Sequence, residues 1–230
     1  MKIPSVIIAV SALLQLAFPC AEVEAKSGWR RIVKEDGITV SARDVPGRGF
    51  PTFRGVGVIH ANIFDLMAVL SDIKRYPQWV ENCKTARLLK KYNELERMIY
   101  QRTDVPWPIS DRDSVNRSRV VVDLKRRTVN IKFWAVKSRS MPKVDGVVRM
   151  DDLRGHYLLT EVSENKTRID FKVDADPAGM IPTWLAKMAT RRLPLKSIQR
   201  LRKQVKRTKG WYAKRIKRWR AGNYLELKKK

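Results

Sequence analysis

The sequence predicts an α+β fold: a curved antiparallel sheet, one short helix within its first half, and one long helix at its end. Three observations predict it. Between Gly37 and Asp174 most segments alternate apolar and polar residues with period two. After Trp79 these strands follow one another across turns, with no helices between them, which excludes βαβ units. From Pro182 onward the apolar spacing changes to three, four and seven. The chain has 230 residues and is 43% hydrophobic, enough for one full-sized domain and too apolar for a disordered polycation, despite a formal net charge of +26.

Met1 to Ala25 stands outside this domain. Lys2 gives a positive start, Val6 to Phe18 is an apolar run broken only by Ser11 and Gln15, and Val23-Glu24-Ala25 puts small residues at a cleavage site. That order of parts reads as a secretory signal peptide. Thirteen apolar residues in a helix reach about 20 Å, too short to anchor the chain across a core of about 30 Å. Ala17-Phe18-Pro19 is a poor set of residues ahead of a lipidated Cys20. The expected organisation is a signal peptide at 1–25, one domain at 26–220 and a basic tail at 221–230, in a secreted, periplasmic protein. Cleavage removes one lysine and two glutamates, so the mature charge is +27. It also leaves Cys83 as the sole cysteine, expected to be a small buried hydrophobe. Two cysteines exclude a disulfide scaffold or a multi-cysteine metal centre, and His60 and His156 form no metal-spacing motif. No metal or cofactor is expected.

The elements follow in order. Gly37 to Arg43 and Thr52 to His60 read as strands. Ile63, Phe64, Met67 and Leu70 share one helical face, with Asn62 as cap. Tyr76-Pro77-Gln78-Trp79 is expected to end that helix, because proline cannot continue its ladder. Further strands read at 86–91, 97–103, 114–122, 128–136, 147–150, 157–162 and 168–174, as an antiparallel meander. Val129, Ile131 and Phe133 face one way on one of them, and Ile169, Phe171 and Val173 face inward on another. The terminal helix carries Trp184, Leu185, Met188 and Leu193, then Leu195, Ile198, Leu201, Val205, Tyr212, Ile216 and Trp219. Pro194 is expected to kink it or divide it in two.

Four segments carry a family resemblance. They are Trp29 with Asp36-Gly37-Ile38-Thr39-Val40, and Leu70-Ser71-Asp72-Ile73 through Tyr76 and Trp79. The third is Pro106-Trp107-Pro108-Ile109-Ser110-Asp111-Arg112-Asp113, and the fourth is Asp176-Pro177-Ala178-Gly179-Met180-Ile181-Pro182. In this order they resemble the START domain, the helix-grip fold of steroidogenic-acute-regulatory-protein-related lipid transfer proteins. They match its opening helix end and first strand, its helix-to-strand corner, its proline-aromatic-proline motif followed by Arg-Asp, and the entry to its C-terminal helix. The resemblance implies a curved sheet closed over a cavity by the long helix, and a lipid ligand: a phospholipid, a sterol or another apolar molecule. The acid–arginine pair of sterol-carrying members has no counterpart, because its positions fall near Ile99 to Gln101 and at Ser118.

On this reading the candidates for ligand contact are Tyr100, Arg112, Phe133, Met180, Trp184, Leu185 and Met188. Arg112 either pairs with a buried carboxylate or caps a ligand headgroup. Arg112 and Asp113 are adjacent on a strand and point to opposite faces, so they cannot act on one substrate together. No nucleophile–histidine arrangement, phosphate-cradling loop or cofactor fingerprint is present, and no catalytic residue is expected. A polyketide cyclase or dehydratase on the same fold, with a polar pocket, is the alternative. From Lys187 to the end there are eighteen Lys and Arg against one acid, Glu226. Arg191, Arg192, Lys203 and Arg207, with Trp211 and Trp219, read as a basic amphipathic element that docks a monomer on an anionic membrane surface. The competing reading is a helix packed on its own sheet with solvated charges. A nucleic-acid partner is not expected, given the signal peptide and the lack of aromatics along an exposed strand face. Asn116-Arg117-Ser118 and Asn165-Lys166-Thr167 are glycosylation sequons, meaningful in a eukaryotic secretory pathway.

Overall fold

The computed structural model describes residues 28–222, so the signal-peptide segment and all of the basic tail past Gly222 lie outside the described residues. Ten strands form one sheet. They are β1 (Arg30–Glu35), β2 (Ile38–Arg43), β3 (Thr52–Ile59), β4 (Cys83–Lys91), β5 (Glu96–Thr103), β6 (Asp111–Asp123), β7 (Thr128–Ala135), β8 (Val147–Arg149), β9 (Asp152–Ser163) and β10 (Lys166–Asp176). The helices are α1 (Ile63–Leu70), α2 (Tyr76–Trp79), α3 (Thr183–Arg207) and α4 (Ala213–Arg220).

The sheet runs β1-β2-β3-β10-β9-β7-β6-β5-β4. Successive strands are antiparallel, and β3 meets β10 with Gly55 opposite Phe171 and Gly57 opposite Ile169, so early and late strands join in mid-sheet. One strand departs from the expected meander: β8 lies parallel to β6, Val148 opposite Arg112. The opening also differs from expectation. Arg30–Glu35 is itself a strand, so the strand predicted from Gly37 is the second.

The first helix is capped as its sequence predicts, the Asn62 side-chain oxygen accepting from the amide of Phe64 at 3.0 Å. Pro77, by contrast, does not terminate that helix. The helix has already ended at Leu70, and Pro77 sits in the first turn of α2, where a missing N–H costs nothing. Pro194 neither divides α3 nor ends it, since the helix is continuous across it. Its ring rests on β3 at Gly55, where a Cβ would approach the Pro194 Cβ to 3.0 Å and its carbonyl to 3.3 Å. The break comes later, between Thr208 and Tyr212, after which α4 folds back.

Two apolar clusters result. One is solid, built from α1, α4, the C-terminal half of α3 and the strands beneath them, with Leu66, Met67, Leu159, Ile198 and Leu201 fully buried. The other gathers Phe50, Phe53, Phe171, Val173, Ala175 and Ala186 under the N-terminal half of α3. Cys83 is buried and unpaired as expected, and burial pushes its thiol up to about 11. At that value it is a thiol at neutral pH, unreactive as a nucleophile.

Candidate functional site: an enclosed cavity

The second cluster does not fill the space below it. A cavity of about 420 Å³ remains between the sheet and the first half of α3. Strand alternation decides what faces it. On β5 the inward positions are Ile99, Gln101 and Thr103, and on β6 they are Arg112, Ser114, Asn116 and Ser118. This gives one wall that is polar and mostly uncharged. The opposite wall is aromatic: Phe53 meets Phe171 edge-on at 6.4 Å, Tyr157 stacks on Phe171 at 4.4 Å, and Phe133 leans on Tyr157 at 5.9 Å. Burial raises the hydroxyl pKa of Tyr157 far above its ordinary value, so it stays neutral. Phe133 reaches its place because Gly155 lies opposite it on β9, where a Cβ would come within 2.5 Å of the ring. The roof is the face of α3 that carries Leu185, Met188, Ala189 and Leu193. Among the lining residues Asn82, Asp104, Pro106 and Arg192 are exposed, and they mark the mouth.

Four of the seven sequence candidates for ligand contact therefore line the cavity: Arg112, Phe133, Leu185 and Met188. Three do not. Tyr100 is one position out of register on β5, so it turns to the outer face beside Asp113, where burial and that carboxylate raise its pKa. Trp184 precedes Leu185 by one residue, a rotation of about 100° about the helix axis, and is 54% exposed. Met180 sits in the loop ahead of α3 and is 94% exposed. Sequence reading missed Phe53, Tyr157, Gln101 and Asn116. The inward set containing Phe171 was visible, and the strand register that places Phe53 and Tyr157 beside it was not.

Arg112 and Asp113 do point to opposite faces. Asp113 turns away from the cavity and takes two hydrogen bonds from Arg149, at 2.5 and 3.0 Å. The carboxylate partner foreseen as one option for Arg112 is absent among the described residues. Its guanidinium donates instead to the carbonyls of Ser110 at 2.6 Å, Ala178 at 3.2 Å and Pro177 at 3.3 Å, tying the β5–β6 loop to the loop before α3. Asn116, the acceptor of one sequon, is buried with its side chain in the cavity, closed to glycosylation in the folded chain. Its amide nitrogen donates to Ser114 Oγ at 2.8 Å, and its amide oxygen has no partner among the described residues. Among the described residues no cluster of three metal-ligating side chains exists, and no helix is long and apolar enough to cross a membrane.

A model of the START domain matches residues 21–210. The chain belongs to the START domain family. An uncharacterized protein of Pseudomonas aeruginosa is 27% identical over 196 residues, which is 85% of this chain and 96% of that one. The phosphatidylcholine transfer protein of Mus musculus is 25% identical over 179 residues, covering 75% of this chain and 83% of the mouse protein. Among solved structures, a STAR-related lipid transfer protein fragment from Xanthomonas axonopodis superposes with a TM-score of 0.71 at 27% identity, covering 78% of this chain and 99% of that one. The helix-grip α+β architecture of this START domain, a curved antiparallel sheet gripping a C-terminal helix, is thus shared with lipid transfer proteins, and its named relatives support lipid binding in general.

The docking candidates fall into four placements in this START domain. Arg191, Lys203 and Arg207 are exposed on α3, the last donating to the Gln78 side chain. Arg192 stands at the cavity mouth, 3.5 Å from Glu81. Trp211 is exposed, with the Arg75 guanidinium 5.0 Å from its ring centre. Trp219 is placed differently from expectation: it is 2% exposed, because the apolar side of α4 folds onto the solid core instead of facing outward.

Proposed function

We propose that this protein takes one lipid molecule into the cavity under α3 and moves it between membranes, docking on an anionic surface through the basic face of α3. The observation that carries the reading is the cavity itself, an apolar space with one polar wall, closed by a helix and open at one mouth. Each methylene moved from water into such a space contributes about 0.8 kcal/mol, so an acyl chain is retained without any specific polar contact. Docking draws support from the exposed Arg191, Lys203 and Arg207, since each basic residue near an anionic surface adds about 1 kcal/mol. Trp107, 91% exposed in the loop that holds Pro106, and Met180 and Trp184 beside the opposite loop put large apolar groups around the mouth, where a bilayer would receive them. The proposed setting is the periplasm, with the chain exported by its first 25 residues and acting as a monomer without cofactor or metal.

The test is native mass spectrometry of the gently purified protein, followed by solvent extraction. A bound species of lipid mass is expected. Protein that stays empty after incubation with sterol and phospholipid mixtures would overturn the carrier reading and favour a cyclase. Flotation with liposomes at low salt tests docking separately: binding to anionic but not neutral vesicles is expected, and indifference to both would remove that step.

A further inference from the structure

Four charged side chains line the cavity, and three of them are neutralised. Glu81 lies 3.5 Å from Arg192 and 2.7 Å from Arg200, and Asp104 lies 3.3 Å from Lys84. Arg112 is the fourth. It is only 4% exposed, yet no carboxylate comes within 4.0 Å of it among the described residues. Its partners are three carbonyl oxygens, which carry partial charge only, and burial holds its pKa below the ordinary guanidinium value. A guanidinium has five N–H donors, so two remain after those bonds. A buried cation without a counter-charge is costly, and an anion brought in by a ligand would relieve that cost with charge-assisted bonds.

Volume supplies the second constraint. Ligand pockets run from about 300 to 1,000 Å³, so a cavity of about 420 Å³ stands near the small end of that range. A space of that size favours one acyl chain over the two of a diacyl phospholipid. The path also fits one chain. From Arg112 to Ser118 the polar wall runs about 20 Å along β6, and the aromatic wall faces it. Building on the lipid-carrier reading, we propose that the ligand is a single-chain amphiphile with an anionic head, a carboxylate or a phosphate, held at Arg112 just inside the mouth, with its chain along Phe133, Tyr157 and Phe171.

The experiment loads the purified protein with an environment-sensitive apolar dye and displaces it with four competitors. These are palmitate, palmitoyl lysophosphatidate, neutral monopalmitoylglycerol and dipalmitoyl phosphatidylcholine. At least one of the two anionic single-chain lipids is expected to displace the dye about ten-fold or more better than the neutral one, the scale of one charge-assisted hydrogen bond. Comparing palmitate with the lysophosphatidate then separates carboxylate from phosphate. In Arg112→Gln the anionic advantage, read as the ratio of anionic to neutral displacement within that variant, is expected to disappear; Arg112→Lys is expected to keep part of it. Equal displacement by neutral and anionic chains, or strongest displacement by the two-chain lipid, overturns the assignment while leaving the carrier reading standing. A dye that never binds, together with empty protein in the mass spectrum, overturns the carrier reading itself. If Arg112→Gln does not fold, the competitor series on the unaltered protein still decides.

Discussion

The two halves of α3 are both basic and amphipathic, and they have opposite jobs. Past Pro194 its inward residues are Leu195, Ile198, Leu201 and Val205, which interlock with α1 and the strands below and leave no space. Before Pro194 the face toward the sheet carries Leu185, Met188, Ala189 and Leu193, and the space that remains beneath them is the cavity. One helix is thus a structural beam at one end and a roof at the other. The hinge of this contrast is Gly55, where the helix sits close on β3. Apolar pattern alone therefore does not tell a core from a ligand site: Leu185 and Leu201 read alike in the sequence, and what lies beneath each of them differs.

The largest effect comes from breaking the solid half. Leu201→Ala should lower unfolding stability by about 3 kcal/mol in urea denaturation, because a fully buried side chain leaves a void among rigid neighbours. Met188→Ala removes a side chain already facing open space, so its stability cost should stay under about 1 kcal/mol while lipid retention in native mass spectrometry falls. Equal stability losses for the two would erase the contrast. Trp184→Ala, turned away from the cavity, should leave retention unaltered and weaken liposome association. Next in size is Gly55→Val. Its side chain would press into Pro194 and Ile198, already 3.0 and 3.1 Å from a mere Cβ, and should cost about 2 kcal/mol by lifting the helix.

Much of this fold was legible because the inward strand residues alternate cleanly, as in Val129, Ile131 and Phe133, and because the helix period changes at Pro182. The site was legible in half. Phe133, Leu185, Met188 and Arg112 are local inferences: face, period and motif suffice for them. Tyr100 went astray by one strand position, and a shift of one flips a side chain to the other face. Trp219 failed for another reason. Helical spacing predicts an apolar stripe, and it cannot say whether that stripe meets a membrane or, as here, α1 and its neighbours. Phe53 joins the aromatic wall through the pairing of β10 with β3, residues far apart in sequence that no local pattern reports, whereas Tyr157 faces Phe171 across the β9–β10 hairpin and depends on its register.

Acid should act on the cavity end. Asp111, at the start of β6, turns out of the cavity and accepts from Arg102 at 2.6 Å, Lys84 at 3.1 Å and the amide of Val105 at 3.3 Å. Burial alone would push its carboxyl up, but these donors outweigh burial and hold it below the ordinary range. A carboxylate with a depressed folded pKa contributes stability that is present above its unfolded value of about 4 and is lost as pH falls through the folded one. Thermal melting should therefore fall below about pH 4, and Asp111→Asn should cost about 1.5 kcal/mol at neutral pH. The variant should also show a shallower acid limb. A variant whose melting temperature fell just as steeply with acid would clear Asp111 of this role.

Alkali should act on the solid end, where the smallest effect lies. The joint between α3 and α4 is fastened by Tyr212, whose hydroxyl donates to Asp72 Oδ2 at 2.8 Å. Burial first, then this hydrogen bond to a carboxylate, pushes its pKa up to about 12. In the unfolded chain the same phenol ionises near 10, so between about pH 10 and 12 the folded state holds a proton that the unfolded state has released. Stability from this group is complete below pH 10 and declines as pH rises past it. Tyr212→Phe should cost only about 0.5 kcal/mol at pH 7, the net worth of one hydrogen bond at a half-exposed site. The informative quantity is the difference between the two proteins across pH. It should stay constant up to about pH 9 and shrink above 10, since phenylalanine has no proton to lose. A difference that stayed constant to pH 12 would mean that Tyr212 titrates alike in both states, and that the joint is held by the packing of Ile216 and Trp219 instead.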